Sequence, residues 1–153
     1  MATKKSAPLY VVEDSVGYLI SRARAQLAKS LDDGLAAQGI THAQGSILLM
    51  LRSGRFDNAA QLSREMVIDA AAMTRMVDRL GKRDLIKRMP SRDDRRVSRL
   101  QLTAAGCRLA DQLPAVYIAA REQNFAGLSA EEMGFLKSLL RRILVNGEPA
   151  LLT

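Results

Sequence analysis

The chain has 153 residues, enough for one domain or for one compact unit with an oligomerisation appendage. Apolar residues make up 48% and charged residues 25%, which excludes a disordered chain. The formal net charge of +7 is confined to residues 52–108, which hold fourteen Lys and Arg against seven Asp and Glu, while the rest of the chain is neutral. Charge concentrated in this way points to a polyanion-binding segment between neutral structural ones.

Residues 1–9 read as a loose arm. Over residues 11–37, Val12, Val16, Leu19, Ile20, Ala23, Leu27, Leu31 and Leu35 recur at helical spacing, and Gly39 follows as a stop. So long a first helix in so short a chain suggests packing against a partner subunit. Thr41 and Gln44 form a capping box for a second helix, with 47–51 as its buried part and Gly54 as its end. Asn58 caps a short third helix over 59–66, and Asp69 caps a fourth over 70–83 with Met73, Met76, Val77 and Leu80 inward. Residues 85–89, closed by Pro90, and the alternating stretch 97–103 read as two short strands around the polar, arginine-rich loop 91–96. A fifth helix is expected from about Thr103 to Phe125, kinked or broken at Pro114. Ser129 and Glu132 open a sixth, with Met133, Leu136, Leu139, Leu140, Ile143 and Leu144 inward and Gly147 and Pro149 at its end. The two neutral ends are expected to meet, because neither has another obvious place to bury its apolar stripe.

This order predicts a mainly α fold with a small β-hairpin wing, a winged helix-turn-helix. Residues 41–103 are its DNA-binding region, and the terminal helices in 1–40 and 104–153 form a dimerisation region. A recognition helix enters a major groove about 12 Å wide, so its leading face needs small or hydrogen-bonding side chains. Ala70, Ala71, Ala72, Thr74 and Arg75 meet that requirement: the methyls suit thymine, and Thr74 and Arg75 can reach base edges or phosphates. In the wing, Arg92, Arg95 and Arg96 suit a narrow minor groove, and Asp93 and Asp94 can hold those arginines in position.

Ala60-Gln61-Leu62-Ser63, the run from Met73 to Leu80, Asp94-Arg95-Arg96 and Leu102-Thr103-Ala104-Ala105-Gly106 together resemble the MarR family of bacterial regulators. The resemblance spans about residues 11–146. It implies a triangular homodimer that reads a pseudo-palindromic operator in double-stranded DNA, with Thr74 and Arg75 in the major groove, Arg95 and Arg96 in the minor groove and Asp94 as their support. The chain departs from the family pattern at Asp84, where Gly is usual, and Asp tolerates the left-handed backbone such a position requires. Gly81 weakens the last turn of the recognition helix.

The resemblance also implies a site for a small aromatic carboxylate or phenolic effector between the first helix, the second helix and the dimer interface. Ser15, Tyr18 and Arg22 share a helix face by spacing; Arg22 suits a carboxylate and Tyr18 can stack. An intersubunit or interhelix salt bridge is an equal reading of Arg22. His42 is either an exposed first-turn residue or a further effector contact. Cys107 is expected to be a buried structural thiol rather than a redox sensor.

One Cys and one His exclude an intramolecular disulfide and a structural zinc site, and no metal or cofactor is expected. Glu13 and Asp14 interrupt any signal sequence, and the longest strongly apolar run, 47–51, is far short of a membrane span, so a cytoplasmic protein is expected. Catalysis is not expected: no phosphate loop, nucleophile elbow or zinc-protease pattern is present, and the paired acids Asp32/Asp33 and Glu131/Glu132 point apart on their helices. A ligand-released repressor is the first reading, and a constitutive or architectural DNA-binding protein without an effector is the alternative.

Overall fold

The computed structural model describes residues 11–90 and 98–147. The expected arm, Pro149 and the wing-loop residues Arg92, Asp93, Asp94, Arg95 and Arg96 lie outside the described residues. Within them the chain forms α1 (Val16–Leu35), α2 (His42–Arg52), α3 (Ala59–Met66), α4 (Ala70–Lys82), β1 (Ile86–Pro90), β2 (Ser98–Leu102), α5 (Ala104–Asn124) and α6 (Ala130–Gly147). The strands make one antiparallel hairpin in which Ile86 faces Leu102 and Met89 faces Arg99. The expected fold, helices with a β-hairpin wing, is what the structure shows.

Local chemistry accounts for most boundaries. Thr41 and Gln44 exchange both capping-box hydrogen bonds. Asn58 accepts from the Gln61 N–H, Asp69 from that of Ala72, and Ser129 and Glu132 close a second box. Gly39 and Gly54 adopt positive φ where α1 and α2 end. Asp84 takes the left-handed conformation, at φ 53°, that sequence reasoning assigned to it. Val67, in the turn between α3 and α4, does the same at φ 51°.

Three expectations are corrected in whole or in part. The first helix does not begin at 11: Val12–Asp14 is a separate 3-10 turn, and Ser15 caps α1 by accepting from the Tyr18 N–H. Of the kink or break expected at Pro114, the break does not occur: α5 is continuous from Ala104 to Asn124. The proline sits on the exposed side, while Ala110, Leu113 and Ala120 are buried on either side of it and hold the helix across the missing hydrogen bond. The ends meet only in part: α1 packs against α5, where Ser30 donates to Asn124 at 3.4 Å, but α6 has no buried residue, and Leu139, Leu140, Ile143 and Leu144 are exposed, as are Val16, Leu19 and Ile20 of α1.

The core joins the C-terminal end of α1 (Leu35) to α2 (Ile47, Leu48, Leu51), α3 (Leu62), α4 (Met73, Val77, Leu80), the hairpin (Ile86, Leu100) and α5 (Ala110, Leu113). Its tightest seam runs between the end of α4 and the start of α5. There the Thr103 N–H donates to the Leu85 carbonyl and its hydroxyl to the Asp84 carbonyl, while the hydroxyl oxygen caps α5 at Gly106. A Cβ on Gly106 would overlap the Leu85 carbonyl oxygen, so the Leu-Thr-x-x-Gly run is a packing requirement.

Two glycine substitutions should therefore act in opposite directions. Gly106→Ala forces the Leu85 backbone aside and should lower unfolding free energy by about 3 kcal/mol in urea denaturation. Gly81→Ala places its Cβ 3.9 Å from the Ile86 carbonyl oxygen, an ordinary contact, and should raise it by about 1 kcal/mol.

Candidate nucleic-acid interface

α3, the turn at 67–69 and α4 form the helix-turn-helix, and the hairpin follows directly as the wing. Met73, Val77 and Leu80 bury one face of α4 and thereby fix which face looks outward. On that outer face Ala70, Ala71, Thr74 and Arg75 are exposed and Ala72 is half-buried. Thr74 Oγ1 donates to the Ala70 carbonyl at 2.8 Å, which leaves its lone pairs free to accept. Arg75 has no acidic partner among the described residues, and the same holds for the exposed Arg64, Arg79, Lys82 and Lys87 nearby.

Other cations are committed to structure. Arg88 of β1 reaches Asp78 of α4 at 2.8 Å, and Arg99 of β2 reaches Asp57 before α3 at 2.6 Å. Arg83, at the end of α4, donates to the carbonyls of Gln38 and Gly39 at 2.8 and 2.6 Å. These ties were missed by sequence reasoning, because their partners stand 10, 42 and about 45 residues away. Arg52 and Asp111 join α2 to α5: the guanidinium hydrogen bond lowers the Asp111 carboxyl more than its slight burial raises it, and the aspartate raises Arg52 in turn.

The four effector candidates are not brought together within one chain. Ser15 is occupied in capping α1, and its hydroxyl donates to the Val12 carbonyl. Tyr18 and Arg22 are exposed on the first turns of the same helix. His42 instead meets Asp32, with its backbone N–H at 2.6 Å and its ring Nδ1 at 3.0 Å from the same carboxylate oxygen. Asp32 lies fourteen residues beyond Tyr18, or about 21 Å along α1. Asp33 turns away to Lys29 at 2.8 Å, so the paired acids do point apart.

His42 belongs to a small polar network between α1, α2 and α5. The Tyr117 hydroxyl donates to the His42 carbonyl at 3.0 Å and lies 3.2 Å from Ser46 Oγ. Burial pushes the Tyr117 phenol above its usual value, the Ser46 contact opposes this, and the Asp32 charge adds to it. Burial would also raise the Asp32 carboxyl, but the hydrogen bonds and charge of His42 outweigh it and the net direction is down. Cys107 is half-buried near Arg52, in the groove between α2, α5 and the hairpin. Among the described residues no three His, Cys, Asp or Glu side chains gather to hold a metal, and no helix is long and apolar enough to cross a membrane.

The two shifts have opposite signs in pH. Tyr117, raised, contributes stability that is complete below about pH 10 and is lost as pH climbs through its folded value. Asp32, lowered, contributes stability that is present above the ordinary aspartate value and is lost as pH falls through its folded value. Tyr117→Phe should therefore remove a tyrosinate absorbance that titrates above the usual phenol value and flatten the alkaline limb of the stability curve. Asp32→Asn should lower stability at neutral pH and differ least from the parent in strong acid.

Comparison with known proteins agrees with this geometry. The family model "MarR family" matches residues 40–98, which hold α2, the helix-turn-helix and the first strand of the hairpin. The HTH-type transcriptional repressor NicR of Pseudomonas putida is 28% identical over 97% of this chain and 96% of its own length. Among solved structures, a probable transcriptional regulator from Pseudomonas aeruginosa is 30% identical, covers 87% of this chain and 99% of its own, and superposes with a TM-score of 0.77. A mutant MarR from Escherichia coli complexed with operator DNA is 27% identical over 84% of this chain and 93% of its own, with a TM-score of 0.78. CouR from Rhodococcus jostii bound to p-coumaroyl-CoA is 25% identical over 88% of this chain and 95% of its own, with a TM-score of 0.76. On its helix-turn-helix, its hairpin wing and these likenesses, the chain belongs to the MarR family of DNA-binding transcriptional regulators.

Proposed function

We propose that the chain acts as a homodimeric repressor whose grip on a pseudo-palindromic operator is released by a small aromatic or phenolic acid. The observation that carries this reading is α4: one face is locked in the core, and the other offers Ala70, Ala71, Ala72, Thr74 and Arg75 to the exterior. In this reading those side chains read the major groove, and Arg92, Arg95 and Arg96 enter the minor groove with Asp94 as their support. Residues 41–103 bind DNA, while residues 1–40 and 104–153 form the dimer. The apolar residues left uncovered on α1 and α6 support the dimer, because such stripes are buried when a second copy covers them. The name of NicR supports repression, the operator-bound MarR mutant supports duplex DNA, and the ligand of CouR supports an aromatic acid or its derivative.

Two recognition helices in a symmetric dimer must sit about 34 Å apart to enter successive major grooves. An effector releases DNA by binding better to a dimer state in which that spacing is wrong, and a differential of a few kcal/mol suffices. Arg22 and Tyr18 remain the exposed groups on α1 suited to an aromatic carboxylate. The internal bonds already made by Ser15 and His42 favour a second reading, constitutive DNA binding without an effector.

Fluorescence anisotropy on DNA from upstream of its own gene, titrated with salt and then with aromatic acids, separates these readings. Tight, salt-sensitive binding that one acid relieves is expected, with relief lost and affinity kept in Arg22→Ala. Binding indifferent to every acid supports the constitutive reading, and no preference over random DNA defeats both. Arg75→Ala should weaken operator binding by ~1–3 kcal/mol, roughly ten- to a hundred-fold in Kd. Leu139→Glu should shift the chain to monomer in sedimentation equilibrium.

A further inference from the structure

The hairpin is anchored well at its base and weakly toward its tip. Ile86 and Leu100 are buried, but Lys87, Arg88, Met89 and Pro90 of β1 and Arg99 and Gln101 of β2 are exposed. Two strands alone are marginal without an apolar face to bury. What secures the outer half of β2 is polar and comes from the segment before α3. The Leu100 N–H donates to the Asp57 carbonyl at 2.6 Å, and Asn58 pairs with Arg99 in a single antiparallel β-bridge. Arg99 sends Nε and Nη2 to one carboxylate oxygen of Asp57, at 2.8 and 2.6 Å. The other carboxylate oxygen accepts from Asn58 Nδ2 at 3.0 Å, and Asn58 Oδ1 in turn caps α3 at the Gln61 N–H. Gln61 closes the circuit by accepting from the Asp57 N–H at 2.9 Å. A guanidinium on the wing is thus wired to the first turn of the helix-turn-helix.

The pair is about half exposed, and pairs of that kind add little to folding stability. Its geometry, however, fixes a direction: β2 cannot swing away from α3 without breaking both Arg99 bonds. Arg99 stands one residue inside the outermost pair of the ladder, opposite Met89, so the tie acts far from the buried base of the hairpin, where a restraint on its angle has the longest lever arm. We propose that Asp57 and Arg99 are a positioning pair that holds the wing at the angle where it and α4 meet DNA together. This rests on the DNA-binding reading above.

The test exploits a contradiction between charge and position. Asp57→Asn raises the net charge by one, so plain electrostatics predicts tighter DNA binding, whereas loss of positioning predicts weaker binding. Anisotropy on operator DNA should be measured across salt for the parent, Asp57→Asn, Arg99→Gln and the double variant. We expect each single variant to bind about ten-fold more weakly, the size of one good contact. The log–log salt slope should flatten by about one unit for every phosphate contact the wing loses. The double variant should be no worse than the weaker single one, as for two halves of one device. A partly unfolded sample lowers the active concentration, so the folded fraction of each variant is measured by circular dichroism at every salt concentration and the affinities are referred to it, which keeps the slope decisive. Asp57→Asn binding as tightly as the parent with the parent's slope overturns the proposal, as does a double variant whose losses add. A parent that shows no preference for operator DNA fails the functional reading itself, before any variant is compared.

Discussion

The arrangement rests on the burial of one face of α4. Met73, Val77 and Leu80 sit in the same cluster as Leu48 of α2, Leu62 of α3, Ile86 and Leu100 of the hairpin and Leu113 of α5. Each fully buried aliphatic side chain contributes roughly 1.5–3 kcal/mol, so rotating α4 about its own axis would forfeit several such terms at once. That resistance defines the outward face. The polar ties around it, Arg83 to the turn at Gln38 and Gly39 that follows α1, Arg88 to Asp78 and Arg99 to Asp57, then settle where the ends of α4 and the strands of the hairpin lie. Apolar packing sets which way the reading face looks, and hydrogen bonds set the neighbouring elements against it.

What could be read from the sequence was what is local. Caps at Thr41, Asn58, Asp69 and Ser129 act within three or four residues, so their signals lie beside the helices they begin. Asp84 was legible because few residues other than Gly tolerate a left-handed backbone. Ser15 was misread as a helix-face residue because its cap has no Glu or Gln three positions on; Tyr18 stands there instead. The break allowed for at Pro114 does not occur because α5 is braced by buried neighbours on both sides of it, whereas the proline rule describes an isolated helix. The apolar stripe of α6 was real as a pattern, but nothing among the described residues buries it. The outer residues of α4 were legible from position alone; the ties from Arg83, Arg88 and Arg99 were not, because no spacing rule joins residues that only the tertiary fold makes neighbours.

The Leu-Thr-x-x-Gly run shows how a short family signature can be structural rather than chemical. Thr103 serves two chain segments with one hydroxyl, and Gly106 is small because a backbone carbonyl occupies the space of a side chain. The signature marks the place where the winged region hands over to α5, the first element beyond it. The relation between the two regions depends on its residues.

Val67 carries a further consequence. It is β-branched, left-handed and 87% exposed, so the turn inside the helix-turn-helix holds conformational strain that no packing returns. The position is therefore a reserve: Gly or Asn there relieves the strain without disturbing a contact. The outer face of α4, whose changes alter what is read, lies only a few residues away. Mutational drift that costs stability on that face has a compensator beside it, and the specificity of such a protein can wander further than its core alone would permit.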